Sequence, residues 1–176
     1  MSKVLIECMT IQELVTNTLI EESNLIFDMY EEAIQTIPEP HWATGEIDYL
    51  IPARLIFHAT EATDYYTPDN PTGYIWKNRY DVDPDEGEIP VEKLPSQQHM
   101  LEYHNEVRDK VKNWLSTLSM DELLRPEEKF PWTGSTLLGR IIYTFGHYRQ
   151  HFGELNAELR RRGLPRIKWT IIKNEK

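Results

Sequence analysis

Apolar residues recur at three- and four-residue steps in four long stretches of this 176-residue chain. Steps of that size place side chains on one face of an α-helix, whereas a β-strand alternates every second residue. The stretches predict helices over residues 10–35, 48–66, 96–118 and 133–162. Because each apolar face must be buried against another, we expect an all-α protein built as a four-helix bundle.

Proline, glycine and hydroxyl side chains refine the expected helix ends. Pro52 suits a first helical turn and would damage a helix interior, so the second helix is expected to begin near Ile51. Thr133 or Ser135 can cap the start of the last helix, which is expected to end before Gly163.

The connection between the second and third helices, residues 67–95, is long and rich in proline. It places acids at the first, third, fifth and twelfth positions of a calcium-binding loop: Asp81, Asp83, Asp85 and Glu92. The sixth position of such a loop needs glycine for a sharp turn, and here it is Glu86. We therefore interpret the acidic run as a solvated loop. Residues 41–42 and 123–132 are also expected to be irregular.

Composition indicates a soluble globular protein, since 40% of the residues are hydrophobic. No run approaches the roughly 18 apolar residues of a membrane span, and residues 1–7 contain no signal-peptide core. A single cysteine, Cys8, cannot form an internal disulfide. These features predict a cytoplasmic protein without a membrane partner.

Charge is unevenly distributed along the chain. The total is 19 basic minus 29 acidic residues, a net charge of −10, yet nine basic and three acidic residues follow from Arg140 onward. Three of the basic residues, Arg160, Arg161 and Arg162, fall in the last turn of a predicted helix, where cations suit the helix dipole. Without a basic total or interleaved aromatic residues, we expect no nucleic-acid partner.

Two histidines in the last predicted helix, His147 and His151, are four residues apart. On a helix they share a face, about 6 Å apart along the axis, and their nitrogens can reach one metal ion. The alternative is a pair of half-buried histidines that only hydrogen-bond to their neighbours. His99 and His104 are five residues apart and diverge in angle, so we interpret His104 as a packing residue.

A third histidine, His58, lies in the second predicted helix beside an apolar face, where Ala59 and Ala62 leave space. Taken alone, such a residue is more typical of a helical core than of a metal site. On facing helices of a bundle, however, His58 can meet His147 and His151 near one end of the core.

The motifs Ile56-Phe57-His58-Ala59-Thr60-Glu61 and His147-Tyr148-Arg149-Gln150-His151-Phe152-Gly153-Glu154-Leu155, in a four-helix chain, resemble the DinB/YfiT-like superfamily of metal-dependent enzymes. The resemblance extends from the first helix through Trp169 and implies one domain over residues 1–176. It also implies that His58, His147 and His151 bind zinc, nickel or a similar divalent ion. Members include thiol-dependent S-transferases, so a small-molecule substrate and a low-molecular-weight thiol are expected. Members also tend to be dimeric, so the resemblance implies a homodimer.

The motif departs from that of zinc proteases, in which a glutamate follows the first histidine, because Tyr148 occupies that position. Three carboxylates, Glu61, Asp64 and Glu154, remain open as a base or as a partner of a ligand. The resemblance favours thiol transfer over hydrolysis. The alternative is a non-catalytic metal-binding, stress-response or interaction protein that presents Trp76, Trp132 or the arginine-rich helix end to a partner. For the metal site, the uncovered side of the ion is expected to open toward the long 67–95 connection, with Tyr74 and Trp76 as walls of a pocket.

Overall fold

The computed structural model describes residues 9–68, 73–77, 79 and 89–169. Within these residues the protein is all-α, with six α-helices and no β-strand. The four long helices are α1 (Ile11–Thr36), α3 (Pro52–Tyr65), α4 (Gln97–Thr117) and α6 (Leu137–Arg161). The short ones are α2 (Glu39–Trp42) and α5 (Met120–Leu124), and 3-10 turns lie at Asp48–Leu50 and Val91–Lys93.

Local capping chemistry places the first three long helices where the sequence predicts them. The Thr10 side chain accepts from the Glu13 N–H, and the Glu13 carboxylate accepts from the Thr10 N–H, which forms a capping box. Pro52 is the first residue of α3, where its missing N–H costs nothing. Ser96 caps α4 through the third N–H of that helix.

The last long helix begins slightly later than predicted, at Leu137, with Thr136 as its cap. Neither Thr133 nor Ser135, the two expected caps, caps the helix. The hydroxyl of Thr133 is engaged elsewhere. It donates instead to the Phe130 carbonyl at 2.7 Å, within the preceding turn.

Two stretches expected to be irregular contain short helices. In α2 the indole of Trp42 is buried and donates to the Pro95 carbonyl at 2.7 Å. In α5 a second capping box forms at Ser119, and the side chain of Leu123 is fully buried. Both segments are ordered by one buried apolar side chain, which a search for long periodic patterns does not detect.

The long helices pack around a common core. Helix α1 packs against α4 and α6, and α3 packs against the same two. The buried face of α6 consists of Leu137, Ile141, Tyr148, Phe152, Leu155 and Leu159. Ile142, which follows the buried Ile141, is 59% exposed because each step along a helix turns by about 100°.

A buried hydrogen-bond network links all four long helices. On α4, the fully buried His104 has its Nε2 atom 3.0 Å from the Phe27 carbonyl of α1, so Nε2 carries the proton. Its Nδ1 atom therefore accepts from the Tyr148 hydroxyl of α6 at 3.1 Å. That hydroxyl also lies 3.2 Å from the Thr60 hydroxyl of α3. The packing role predicted for His104 is confirmed, with specific polar contacts added.

The chain after α6 returns to the bundle through one side chain. Ile167 is buried and packs on the helices, whereas Trp169 is 58% exposed, and residues 170–176 lie outside the described residues. Cys8 and the acidic run 81–87 also lie outside them. None of the described helices combines the length and hydropathy that crossing a membrane requires.

Acid should destabilise the fold through His104. Burial lowers the pKa of His104 to about 3, against about 6.5 in an unfolded chain. Between these values the unfolded chain binds the extra proton, so stability is complete above pH ~6.5 and is lost as the pH falls toward ~3. At pH ~5 this one group should lower the free energy of unfolding by about 2 kcal/mol, which urea unfolding in the presence of a chelator measures.

The matched variant is His104→Gln, which keeps a donor and an acceptor but does not titrate. The free energy of unfolding of this variant should fall less steeply with decreasing pH than that of the parent. The two slopes should differ by the equivalent of about one bound proton. Equal slopes in the two proteins would show that His104 is not the group responsible.

Candidate metal centre

The packing of α3 against α6 brings the three predicted histidines together. The Nε2 atoms of His147 and His151 are 3.1 Å apart. The His58 ring lies 5.6 Å from the His147 ring and 4.9 Å from the His151 ring, between centroids. Each residue offers one nitrogen, and these three atoms all lie within 4.8 Å of one another. The three residues form a group that could hold a metal ion.

The cluster lies at the surface end of the α3–α6 contact. His147 and His151 are half-buried, whereas His58 is exposed. The core role that is typical of an isolated histidine is therefore wrong for His58. Its side chain reaches the other two histidines from the solvent side, where a small molecule has access.

Glu154 determines which nitrogen of His151 carries the proton. One carboxylate oxygen of Glu154 lies 2.7 Å from Nδ1 of His151. Because an ionised carboxylate only accepts, Nδ1 is the protonated nitrogen and Nε2 keeps a free lone pair on the side of His147. A carboxylate behind a histidine in this way is the usual support of a metal ligand, since it orients the ring and increases its basicity.

The protonation states suit coordination at neutral pH. Burial, followed by the neighbouring His151 and His58, lowers the pKa of His147 to about 4, so its ring is neutral. Partial burial raises the pKa of Glu154, but hydrogen bonds from His151 and Gln150 outweigh it, and that pKa lies below its ordinary value. The site therefore offers a neutral imidazole at His147 beside the negative charge of Glu154.

The donor set and spacing fit zinc or nickel. Imidazole nitrogens favour zinc, copper, iron and nickel over magnesium or calcium. Two nitrogens bound at about 2.0–2.1 Å to a tetrahedral zinc ion are about 3.3–3.4 Å apart. The 3.1 Å between His147 and His151 is close to that spacing. The nitrogen that His58 offers lies within 4.8 Å of both, so it can complete the set.

A cavity of about 230 Å³ adjoins the histidines. It is lined by Tyr49, Arg54, Leu55, His58, His151 and Glu154. These residues come from the 3-10 turn before α3, from the first half of α3 and from α6. A small ligand in this cavity can therefore reach two of the three histidines.

The expectation that Tyr74 and Trp76 wall this cavity is wrong. The Tyr74 hydroxyl donates to Asp64 at 3.1 Å and lines a separate cavity with Glu61. Asp64 follows His58 by six residues, which is about 9 Å along the helix axis and on another face. Trp76 packs on Tyr65, with ring centroids 4.7 Å apart. Tyr74 and Trp76 are thus held at the far end of α3.

The same contacts separate the three carboxylates that the sequence left open. Glu154 contacts a histidine, whereas Asp64 pairs with Lys110 at 2.5 Å. Glu61 accepts from the Lys77 backbone N–H, and burial raises its pKa to about 7. Glu61 and Asp64 therefore line the separate cavity and do not support the histidine cluster.

Two cavity residues, Tyr49 and Arg54, were not foreseen. Arg54 precedes His58 by four residues, so the i, i+4 rule that paired His147 with His151 also places it on the face of His58. Tyr49 gives no such signal, because it belongs to a short turn whose position depends on packing.

Removing the carboxylate behind His151 should weaken metal binding. Glu154→Gln keeps the size of the side chain but loses the charge, and substitution of such supporting groups typically lowers metal affinity about 10- to 100-fold. Competition against a chromophoric chelator measures the change. Gln150→Ala, which removes only a 3.3 Å contact to the other oxygen of Glu154, is the control and should bind nearly as the parent does. An unchanged affinity in Glu154→Gln would contradict this role.

Comparison of the chain with protein-family models, with curated proteins and with solved structures found no match. Its function therefore has to be inferred from the geometry and chemistry of the histidine cluster. The features that bear on it are the three imidazoles, the carboxylate of Glu154 and the adjoining cavity.

Proposed function

We propose that this protein is a divalent-metal-dependent enzyme in which His58, His147 and His151 hold zinc or nickel. The observation that carries the proposal is the convergence of three imidazole nitrogens from two helices beside a cavity open to small molecules. Structural zinc sites are usually closed by four protein ligands, whereas catalytic sites have three and keep a position open. Three protein ligands therefore favour a catalytic site.

The chain's own residues would prepare this site. Glu154 holds the proton on Nδ1 of His151 and so keeps Nε2 available. Partial burial keeps His147 neutral and restricts water around it. A divalent ion held there would lower the pKa of a water or a thiol in the open position, which supplies a nucleophile near neutral pH.

The resemblance to the DinB/YfiT-like superfamily refines the proposal. It favours a four-helix bundle of that type and a thiol-dependent S-transferase acting on a small electrophile, with hydrolysis as the other reaction class. A cytoplasmic homodimer belongs to the same proposal. The all-α fold and the positions of the three histidines support it.

The second candidate is a non-catalytic interaction protein. The indole of Trp132 is 58% exposed, which suits a contact with a partner. The arginine-rich end of α6 supports this candidate less, because Arg161 pairs with Glu158 and Glu46, at 2.7 and 2.9 Å. Arg162 donates to the Thr44 carbonyl at 2.8 Å. These arginines hold the end of α6 to the segment after α2.

Metal content tests the site directly. His58→Ala, His147→Ala and His151→Ala should each lose most of the metal, because two remaining imidazoles bind it weakly. Helicity should persist in all three, since the buried apolar faces do not depend on a metal. Elemental analysis and circular dichroism on the same samples measure both. The exposed His99 of α4 is the control, and His99→Ala should keep the parent's metal content; full metal in His58→Ala would falsify the three-histidine site.

Turnover of small electrophiles tests the hypothesis that the protein is an enzyme. The metal-loaded protein should consume small electrophiles in the presence of a low-molecular-weight thiol or of water, and the His147→Ala variant should lose this activity. Mass spectrometry of the products separates thiol transfer from hydrolysis. A protein that binds metal through all three histidines but turns over no electrophile would favour the non-catalytic candidate.

A further inference from the structure

We propose that Arg54 makes the cavity selective for small molecules that carry a carboxylate. In this inference, which rests on the proposed metal site, the carboxylate binds the guanidinium while a second donor of the same molecule occupies the open metal position. It names the substrate class and a specificity-determining residue that neither the histidine motif nor the resemblance indicates.

The position of Arg54 is the first support. It lies in the first turn of α3, one helical turn before His58, and lines the same cavity. Its side chain is only 7% exposed. A guanidinium that is nearly buried beside a cavity is costly unless an anion accompanies it, because a buried charge has to be paired.

Asp48, an anion that accompanies Arg54 in the structure, is displaceable. Asp48 lies 3.1 Å from Nη2 of Arg54, and its side chain is 58% exposed. The exposed carboxylate of Asp48 can turn into water when another carboxylate takes its place, so that the nearly buried guanidinium keeps an anionic partner. The arginine is held in the cavity wall, so a ligand carboxylate can share the guanidinium with Asp48 or replace it.

Charge within the cavity gives the ligand an orientation. Glu154 lines the cavity on the histidine side, where one of its carboxylate oxygens lies 2.7 Å from Nδ1 of His151. It repels a ligand carboxylate from that side, while the planar fork of Arg54 matches the two oxygens of a carboxylate. The anionic group is therefore directed to Arg54 and the neutral or metal-binding end to the histidines.

The size of the cavity limits the ligand. Its volume of about 230 Å³ is below the roughly 300–1,000 Å³ of pockets that enclose drug-sized molecules. Arg54 and His58 are one turn apart, about 6 Å along the axis. A molecule that contacts both sites has its carboxylate only a few bonds from its metal-binding atom.

The test compares two nearly isosteric thiols, mercaptopropionate and its neutral amide, on the zinc-loaded protein by calorimetry. A charge-assisted hydrogen-bond pair predicts that the carboxylate binds about tenfold or more tightly than the amide. Arg54→Gln should bring this ratio close to one, and Arg54→Lys should leave an intermediate ratio. Arg160→Gln, on the exposed surface of α6, should keep the parent's ratio. Cobalt loading adds a second readout, because sulfur at the metal gives a charge-transfer band.

Hydroxypropionate and its amide locate the source of the carboxylate. If only the thiol pair shows tighter binding of the carboxylate, the carboxylate belongs to the thiol substrate. If both pairs show it, the cavity also selects a carboxylate on the electrophilic substrate. Metal content and melting temperature are measured for every variant, and if Arg54→Gln does not fold, the ratio in Arg54→Lys decides.

The outcomes distinguish failure of the Arg54 proposal from failure of the proposed metal site. A parent protein that takes up no metal overturns both. A protein that takes up metal but binds the amide as tightly as the carboxylate overturns the role of Arg54 and leaves the metal site standing. An Arg54→Gln variant that folds, binds metal and keeps the parent's preference has the same consequence.

Discussion

The hydrogen bonds of the Tyr148 hydroxyl, to His104 and to Thr60, are the contacts on which the histidine cluster depends. Tyr148 is buried, and its ring stacks on Tyr30 with centroids 4.0 Å apart. These contacts fix the rotation of α6 about its axis. Since neighbouring helical residues differ by about 100°, a buried Tyr148 turns His147 toward the edge of the core.

The same network sets the rotation of α3. Thr60 points inward to Tyr148, so His58, two residues earlier, points away from the centre and toward α6. A helix that rotated by one residue step would bury a histidine or carry it away from the others. Buried hydrogen bonds therefore position a histidine cluster that is itself half-exposed. Hydrogen bonds restrict helix rotation more closely than apolar packing does, because apolar packing tolerates small rotations.

Polar residues line two separate cavities at opposite ends of α3. Arg54, His58, His151 and Glu154 surround one cavity, whereas Glu61, Asp64, Tyr74 and Tyr103 surround another. The first group combines imidazoles, one carboxylate and one guanidinium, which is the chemistry of a ligand site. In the second group, Lys110 already compensates Asp64 at 2.5 Å, and the Tyr103 hydroxyl donates to the same carboxylate at 3.1 Å. These contacts join α3 to α4, and the Tyr74 hydroxyl, which donates to the same carboxylate, attaches the long connection.

By itself, the sequence determined the all-α class, the four long helices to within a few residues and the three histidines worth testing, because periodicity, caps and i, i+4 spacing are local properties. Tertiary structure decided which candidates meet. It placed Glu154, but not Glu61 or Asp64, behind a histidine, and it brought Arg54 to the cavity instead of Tyr74. These outcomes depend on helix rotation and on where a long connection folds back, and both are set by contacts between residues far apart in the chain. No local pattern encodes them.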